Sequence, residues 1–323
     1  MLPPTLLPIG ESFRELRWEP LSEFGGMEVR LLKMILCAQE DRVLPAPPHE
    51  WAYAFRQHMH AVSHACKRLC ERRFEGKDLL IVYLDGIQFG QIHVLVALGV
   101  DTKGYKHVLG LREGSSENAT VVKDLLTDIV SRGLDPGRRR LFVIDGSKAL
   151  RKAIDEVFGM ANPIQRCRNH KVRNVLDYLP KDRQENVRCA MKAAFQLPAE
   201  QGMAKLKKLS EWLAPEYPSA AESLLEGLAE MFTINRLELP AQLRRCLAST
   251  NIIESPNAGI REKTGRVTHW RDGQMVLRWT ASALLTLEKR MRRIMGHQQL
   301  WMLEAKLQDH DEQQGVAKKL KSA

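Results

Sequence analysis

Between residues 79 and 113 the chain becomes apolar in three short runs, LLIVYLDGIQF, IHVLVALGVD and YKHVLGLRE, separated by little more than turn residues. Runs of this length, rich in Val, Ile and Leu and bounded by Gly and Asp, predict strands. Asp101-Thr-Lys-Gly104 suits a hairpin turn, so the three predict an antiparallel meander. The period then lengthens. In SSENATVVKDLLTDIVSRGL, Val121, Val122, Leu125, Leu126 and Ile129 recur at helical spacing, with Ser115 or Ser116 as the expected N-cap and an end near Gly133. RRRLFVID returns to a strand, GSKALRKAIDEVFG to a helix and NPIQRC to a short strand, which together predict a parallel extension of the sheet. The expected class is α/β, with a mixed sheet in the order strand, strand, strand, helix, strand, helix, strand.

On either side of this block the pattern changes. Residues 1–64 read as irregular, with Pro-rich stretches at MLPPTLLPIG and RVLPAPPHEW, and the core is expected to begin with the basic-faced helix AVSHACKRLCERRFEGK. From 168 to 248 the period is almost wholly helical, punctuated by Pro180, Pro198, Pro215 and Pro218, and reads as an all-α insertion. Residues 65–167 and 249–300 are expected to form two parts of one core, the second helical and basic, and 301–323 a frayed polar tail.

Composition narrows the class of partner. The 323 residues carry 49 Lys and Arg against 39 Asp and Glu, a formal charge of +10, which favours nucleic acid or an anionic membrane surface. No run approaches the roughly 18 apolar residues that span a bilayer, and the N-terminus lacks the basic-then-apolar order of a signal peptide. A cytoplasmic protein is expected, associated with the nucleoid when it is bound to DNA. The six cysteines form no CxxC pair, as in a protein with reduced thiols.

Three carboxylates stand in distinctive settings: Asp85 in LLIVYLDGIQFG, Asp145 in RRRLFVIDGSKALRKAI, and Glu254 in LASTNIIESPNAGIREK. The first two interrupt or end apolar strands and the third opens a helix, so a fold could bring all three to one sheet edge. Rigidly held carboxylates of this kind suit a pair of divalent cations about 3.5–4 Å apart, the arrangement that clamps both oxygens of a phosphodiester in displacement. Each residue also has a plainer reading. Asp85 could face outward or sit in a turn, Asp145 could cap the helix SKALRKAI, and Glu254 could complete a capping box with Ser249 or Thr250.

Cys167 and His170 form a CxxH pair just past a strand. A zinc site would need two more ligands, for which Cys66 and Cys70 are the paired candidates. A local pair that supports the active site is the preferred reading, with simple packing as its alternative. Arg166, Arg168, Lys171 and Arg173 surround this pair, while Arg261, Lys263 and Arg271 follow Glu254, and all are candidate phosphate contacts or solvated basic faces. Trp270 is a candidate for stacking on a base, whereas Trp279, in an apolar helix, reads as core.

The elements LDGIQFG, VALGVDTKGYKHVLGLREGSSENATV, VIDGSKALRKAI, QRCRNHKVRNVLDYLP, LASTNIIES and HWRDGQMVLRW, in this order from about Asp85 to Leu300, resemble the mutator-type transposases of bacterial insertion sequences. The resemblance covers about two thirds of the chain. It implies a ribonuclease-H-like catalytic domain with Asp85, Asp145 and Glu254 as a DDE triad, Cys167 and His170 as its CxxH motif, and the 168–248 stretch as the insertion domain. It further implies two Mg²⁺ or Mn²⁺ ions per site, strand cleavage at element ends, strand transfer into target DNA, and a homo-oligomer on double-stranded DNA. Members usually place a helix-rich DNA-binding region ahead of the first Asp, and the 84 residues preceding Asp85 contain no clear helix-turn-helix. The expectation is therefore an N-terminally truncated or frameshifted copy. A defective remnant that binds DNA without transposing is the alternative to an active enzyme.

Overall fold

The computed structural model describes residues 64–309 apart from 266 and 268; the expectations for the N-terminal region up to 63 and for the tail beyond 309 fall outside them. Residues 64–70 are helical. There follow β1 (Leu79–Phe89), β2 (Ile92–Asp101), β3 (Lys106–Glu113), α1 (Ala119–Ser131), β4 (Leu141–Ile144), α2 (Lys148–Phe158) and β5 (Ile164–Arg166). The five strands form one mixed sheet in the order β3-β2-β1-β4-β5. The pairs β1/β2 and β2/β3 are antiparallel, while β1/β4 and β4/β5 are parallel. This is the expected meander with a parallel extension.

Local chemistry fixes the turns. The Asp101 carboxylate accepts from the backbone N–H groups of Lys103 and Tyr105, both at 2.9 Å, and Gly104 takes the left-handed conformation (φ 83°) that closes the turn. The N-cap of α1 is Asn118 rather than Ser115 or Ser116. Its side-chain oxygen accepts from Thr120 N at 3.0 Å, while Ser115 Oγ accepts from Glu117 N one turn earlier. Both serines lie too far upstream to reach the orphan N–H groups of the first turn.

The central strands are buried on both faces, as a sheet covered by helices on each side requires. Side chains alternate between two cores. Tyr83, Ile87, Val94, Val96 and Val143 face one, and Val82, Leu84, Leu95, Ala97 and Phe142 face the other, where Val122, Leu125, Leu126 and Ile129 of α1 and Leu150 and Ile154 of α2 cover them. The first core is covered by α9 (Asn251–Thr264) and α10 (Gly273–Glu288), which contribute Ile253, Ile260, Val276 and Leu284. Trp279 is buried at 4% exposure against Met275, the packing role its apolar helix predicts.

Between β5 and α9 run α3 (Arg168–Leu176), α4 (Lys181–Gln196), α5 (Ala199–Leu213), α6 (Pro218–Leu225), α7 (Thr233–Arg236) and α8 (Ala241–Leu247). Val175 through Phe232 build a third hydrophobic cluster of their own. Ile234, Leu239, Leu243 and Leu247 instead join the sheet's first core, so packing changes partner at Phe232 and not at 248. No helix among the described residues is long and apolar enough to cross a membrane.

Candidate active site at the sheet edge

The parallel register defines the site. Tyr83 pairs with Val143, and Val143 with Gln165. Two residues further along stand Asp85, Asp145 and Cys167, just past the parallel pairing: Asp85 lies within β1, which runs on to Phe89 paired with β2, while Asp145 and Cys167 immediately follow β4 and β5. Because side chains alternate, all three lie on the face of Tyr83 and Val143, the one that α9 covers. Neighbouring strands are about 4.8 Å apart, so two carboxylates are held close together in a partly apolar setting. Asp85 registers the consequence. Burial, then the charge of Asp145, push its carboxyl up to about 6, against the opposing effects of His170 and of a hydrogen bond from Asn257. The outward-facing reading of Asp85 is thereby replaced.

Asp145 does not cap α2. Ser147 does, its Oγ accepting from Leu150 N at 3.4 Å, while Asp145 Oδ1 accepts from Ser147 N at 2.9 Å and so fixes the turn leaving β4. Gly146 makes that turn at φ 106°, and a Cβ there would run into the Arg166 guanidinium.

The third carboxylate arrives from α9. Glu254 lies in its first turn, and Asn257, three residues on, sits on the same helix face. Asn257 is 1% exposed and donates from Nδ2 to Asp85 Oδ2 at 2.7 Å; its Oδ1 is buried without a partner among the described residues. Glu254 is not a capping-box residue, because the Thr250 hydroxyl donates to its Oε1 at 2.6 Å. Thr250 Oγ1 also lies 3.3 Å from Cys167 Sγ and 3.4 Å from His170 Nδ1. Its single proton is in reach of both the carboxylate and the sulfur, the carboxylate contact being the shorter, and the Thr250 backbone N–H donates to Cys167 Sγ at 3.4 Å.

His170, on α3, sits among these acids, with Nε2 3.8 Å from Glu254 Oε1. A hydrogen bond with Cys167 raises its pKa first, burial opposes, and the charges of Glu254 and Asp145 raise it further. The Cys167 thiol is pushed up by burial, yet hydrogen bonds from His170 and Thr250 outweigh this and bring it below its ordinary value. Ligand atoms of Cys167, His170 and Glu254 lie within 4.8 Å of one another. The Thr250 hydroxyl already occupies the space among them, which favours a hydrogen-bonded support over a zinc centre. Carboxylate oxygens are harder donors than a thiolate and suit Mg²⁺ or Mn²⁺, but the group of ligand atoms gathered within 4.8 Å among the described residues is Cys167, His170 and Glu254, not the three acids.

The expected phosphate contacts divide sharply. Arg166, Arg168 and Lys171 are buried, at 6%, 8% and 0% exposure, and correct the sequence-based expectation. Arg166 and Lys171 both pair with Glu226, at 2.9 and 3.1 Å, and Arg168 donates to Met231 O at 2.9 Å and to Asn235 while stacking 4.7 Å from the Phe195 ring centroid. Each is a positive charge neutralised or solvated internally, which the flanking polar sequence did not reveal. Arg173 and Arg261 are exposed, Lys263 is half-buried, and Arg271 is exposed beside Asp272 at 3.0 Å. Trp270 is half-buried edge-on against Phe89, with ring centroids 5.1 Å apart. Asn257 and the hydroxyl of Thr250 are the site residues that sequence reasoning missed. Their spacing from Glu254, i+3 and i−4, was the available signal.

A family model described as transposase, Mutator family, matches residues 77–291. Among curated relatives, the transposase for insertion sequence element IST2 of Acidithiobacillus ferrooxidans is 30% identical over 54% of this chain and 58% of its own length. The transposase for IS6120 of Mycolicibacterium smegmatis is 30% identical over 60% of each chain. That for IS1081 of Mycobacterium tuberculosis is 28% identical over 60% of this chain and 46% of its own. The chain spans about half the length of the curated relatives it matches.

Proposed function

Since the chain belongs to the Mutator family of transposases, we propose that it cuts DNA at the ends of an insertion element and joins those ends to target DNA, using Asp85, Asp145 and Glu254 as a divalent-metal site. The sheet order and the helices between the second and third carboxylates support a ribonuclease-H-like catalytic domain with an all-helical insertion. The observation that carries the reading is the shared position of Asp85 and Asp145, each two residues past the paired Tyr83 and Val143 of neighbouring parallel strands, with Asn257 tying Asp85 to the helix that bears Glu254.

Two Mg²⁺ or Mn²⁺ ions held by these oxygens would supply an activated water and charge stabilisation at the leaving 3′ oxygen. The protein's part is to position and tune the acids. Asn257 orients Asp85, Ser147 N–H orients Asp145, and Thr250 orients Glu254. His170, its pKa raised by Cys167 and the neighbouring acids, stands among them, and the paired strands keep Asp85 and Asp145 at a fixed spacing.

The test is cleavage and joining of labelled DNA carrying the flanking element ends, with Mg²⁺, comparing the chain with Asp145→Asn. Activity in the parent and loss in the variant is the expected result. Equal activity in both would remove Asp145 from the triad.

A further inference from the structure

A cleft of about 690 Å³ lies between α3, α4 and α8. Arg173 of α3, Arg188 and Lys192 of α4, and Arg244 and Arg245 of α8 line it, against one lining carboxylate, Asp177. Arg188 and Lys192 are one helical turn apart, so both face the same way. Arg188 pairs with Glu185 at 3.0 Å; no carboxylate among the described residues pairs with Arg173, Lys192, Arg244 or Arg245.

The cleft wall holds a further unneutralised charge. Arg168 is buried, donates only to carbonyl and amide oxygens, and is depressed to about 10 by burial and then by the nearby Arg244. Cations gathered from three separate helices, with only Glu185 and Asp177 as acids beside them, raise one another's energy, and a polyanion in the cleft would lower it. The cleft also leads to the chemistry. Asn169, which lines it, bonds Asn251 at 3.1 Å, and these two residues adjoin His170 and Thr250.

We propose that this cleft binds the sugar–phosphate backbone of one DNA strand and leads it to the carboxylates. The proposal rests on the functional reading above, and names Arg188, Lys192, Arg244 and Arg245 as its phosphate-binding groups together with Arg173. Cleft cations hold the strand through charge and hydrogen bonds, independent of base sequence.

The test is binding of a labelled duplex of arbitrary sequence, without divalent ions, over a series of salt concentrations. Arg188→Gln/Lys192→Gln/Arg245→Gln is compared with Lys205→Gln/Lys207→Gln/Lys208→Gln, exposed α5 cations outside the cleft that remove the same net charge. The cleft triple is expected to bind at least tenfold more weakly and to flatten the plot of log affinity against log salt by about 0.9 for each phosphate no longer neutralised. The control is expected to change little. Equal effects of the two triples on a parent that binds DNA would overturn the cleft alone, whereas a parent with no salt-dependent binding would overturn the DNA reading with it. Should the cleft triple fold poorly, Lys192→Gln/Arg245→Gln, both exposed, carries the same comparison.

Discussion

Asn257 donates to Asp85 across 2.7 Å, and this bond joins the helix bearing the third acid to the strand bearing the first. The two residues are 172 positions apart, so neither fixes the other until the sheet and α9 have packed. Asn257→Leu removes the donor and leaves a buried carboxylate oxygen without it, a change expected to cost roughly 1–3 kcal/mol of stability. Mg²⁺-dependent DNA cleavage should fall more than thermal stability does, since Glu254 is then no longer held in register with Asp85. Unchanged cleavage in a variant that melts lower would reduce Asn257 to a packing role.

The elevated pKa of Asp85 makes a signed prediction. Its folded value, about 6, lies above the unfolded value of about 3.9. The folded state therefore binds the proton more tightly; Asp85's contribution is intact below about pH 4 and is lost as pH rises toward 6. Asp85→Asn should stabilise the chain at pH 7 by roughly 1–2 kcal/mol after allowance for partial solvent screening. The gain should vanish near pH 4. Melting curves of the two proteins at both pH values check it, and a pH-independent difference would contradict a carboxyl raised by burial and by the charge of Asp145.

Divalent cations should act in the same direction. Mg²⁺ bound among Asp85, Asp145 and Glu254 stabilises the folded state in proportion to its occupancy, by about 2.7 kcal/mol at a hundred times the dissociation constant. The parent should melt higher with Mg²⁺ at pH 7, and Asp85→Asn or Asp145→Asn should show little of that rise. A Mg²⁺ effect of equal size in all three would locate binding elsewhere.

The strands and the first carboxylates were legible because each obeys a local rule. Continuous Val-, Ile- and Leu-rich runs at 79–113 gave the meander, and an acid that interrupts or ends an apolar run marked Asp85 and Asp145. The buried cations were not legible. Arg166, Arg168 and Lys171 sit in a sequence, QRCRNHKVRN, that is as polar as any solvated face. What buries them is Glu226 and the carbonyl of Met231, about sixty residues later in the chain. Asn118 in place of Ser115 is a smaller miss of the same kind, since several residues in SSEN can cap and only the final geometry chooses.

Thr250 should prove a positioning residue. Thr250→Val keeps the shape but removes the proton that Glu254 and Cys167 Sγ accept and the hydroxyl oxygen 3.4 Å from His170 Nδ1. Loss of such a supporting bond typically costs 10–100-fold in metal affinity or activity. The expected signature is weaker apparent Mg²⁺ affinity in cleavage, with Thr250→Ser restoring most of it. A merely structural role would lower the melting temperature without moving the Mg²⁺ dependence.

Arg168 separates structural from DNA-contacting cations. It is 8% exposed, lies over the rings of Phe195 and Phe232, and donates to Met231 O, Phe195 O and Asn235. Arg168→Met replaces the charge with an apolar chain of similar length but leaves those oxygens without a donor, so stability should fall by roughly 1–3 kcal/mol. The same reasoning covers Lys171→Met, which strips Glu226 and Ser223 O of a partner. Lys171 is fully buried, and Arg168, although it stands in the cleft wall, spends its N–H groups on internal oxygens, so neither is expected to bond a phosphate. The salt dependence of duplex binding should therefore match the parent's at a temperature where the variants remain folded. A slope reduced by about 1 in Arg168→Met would mean that the buried guanidinium reaches a phosphate after all.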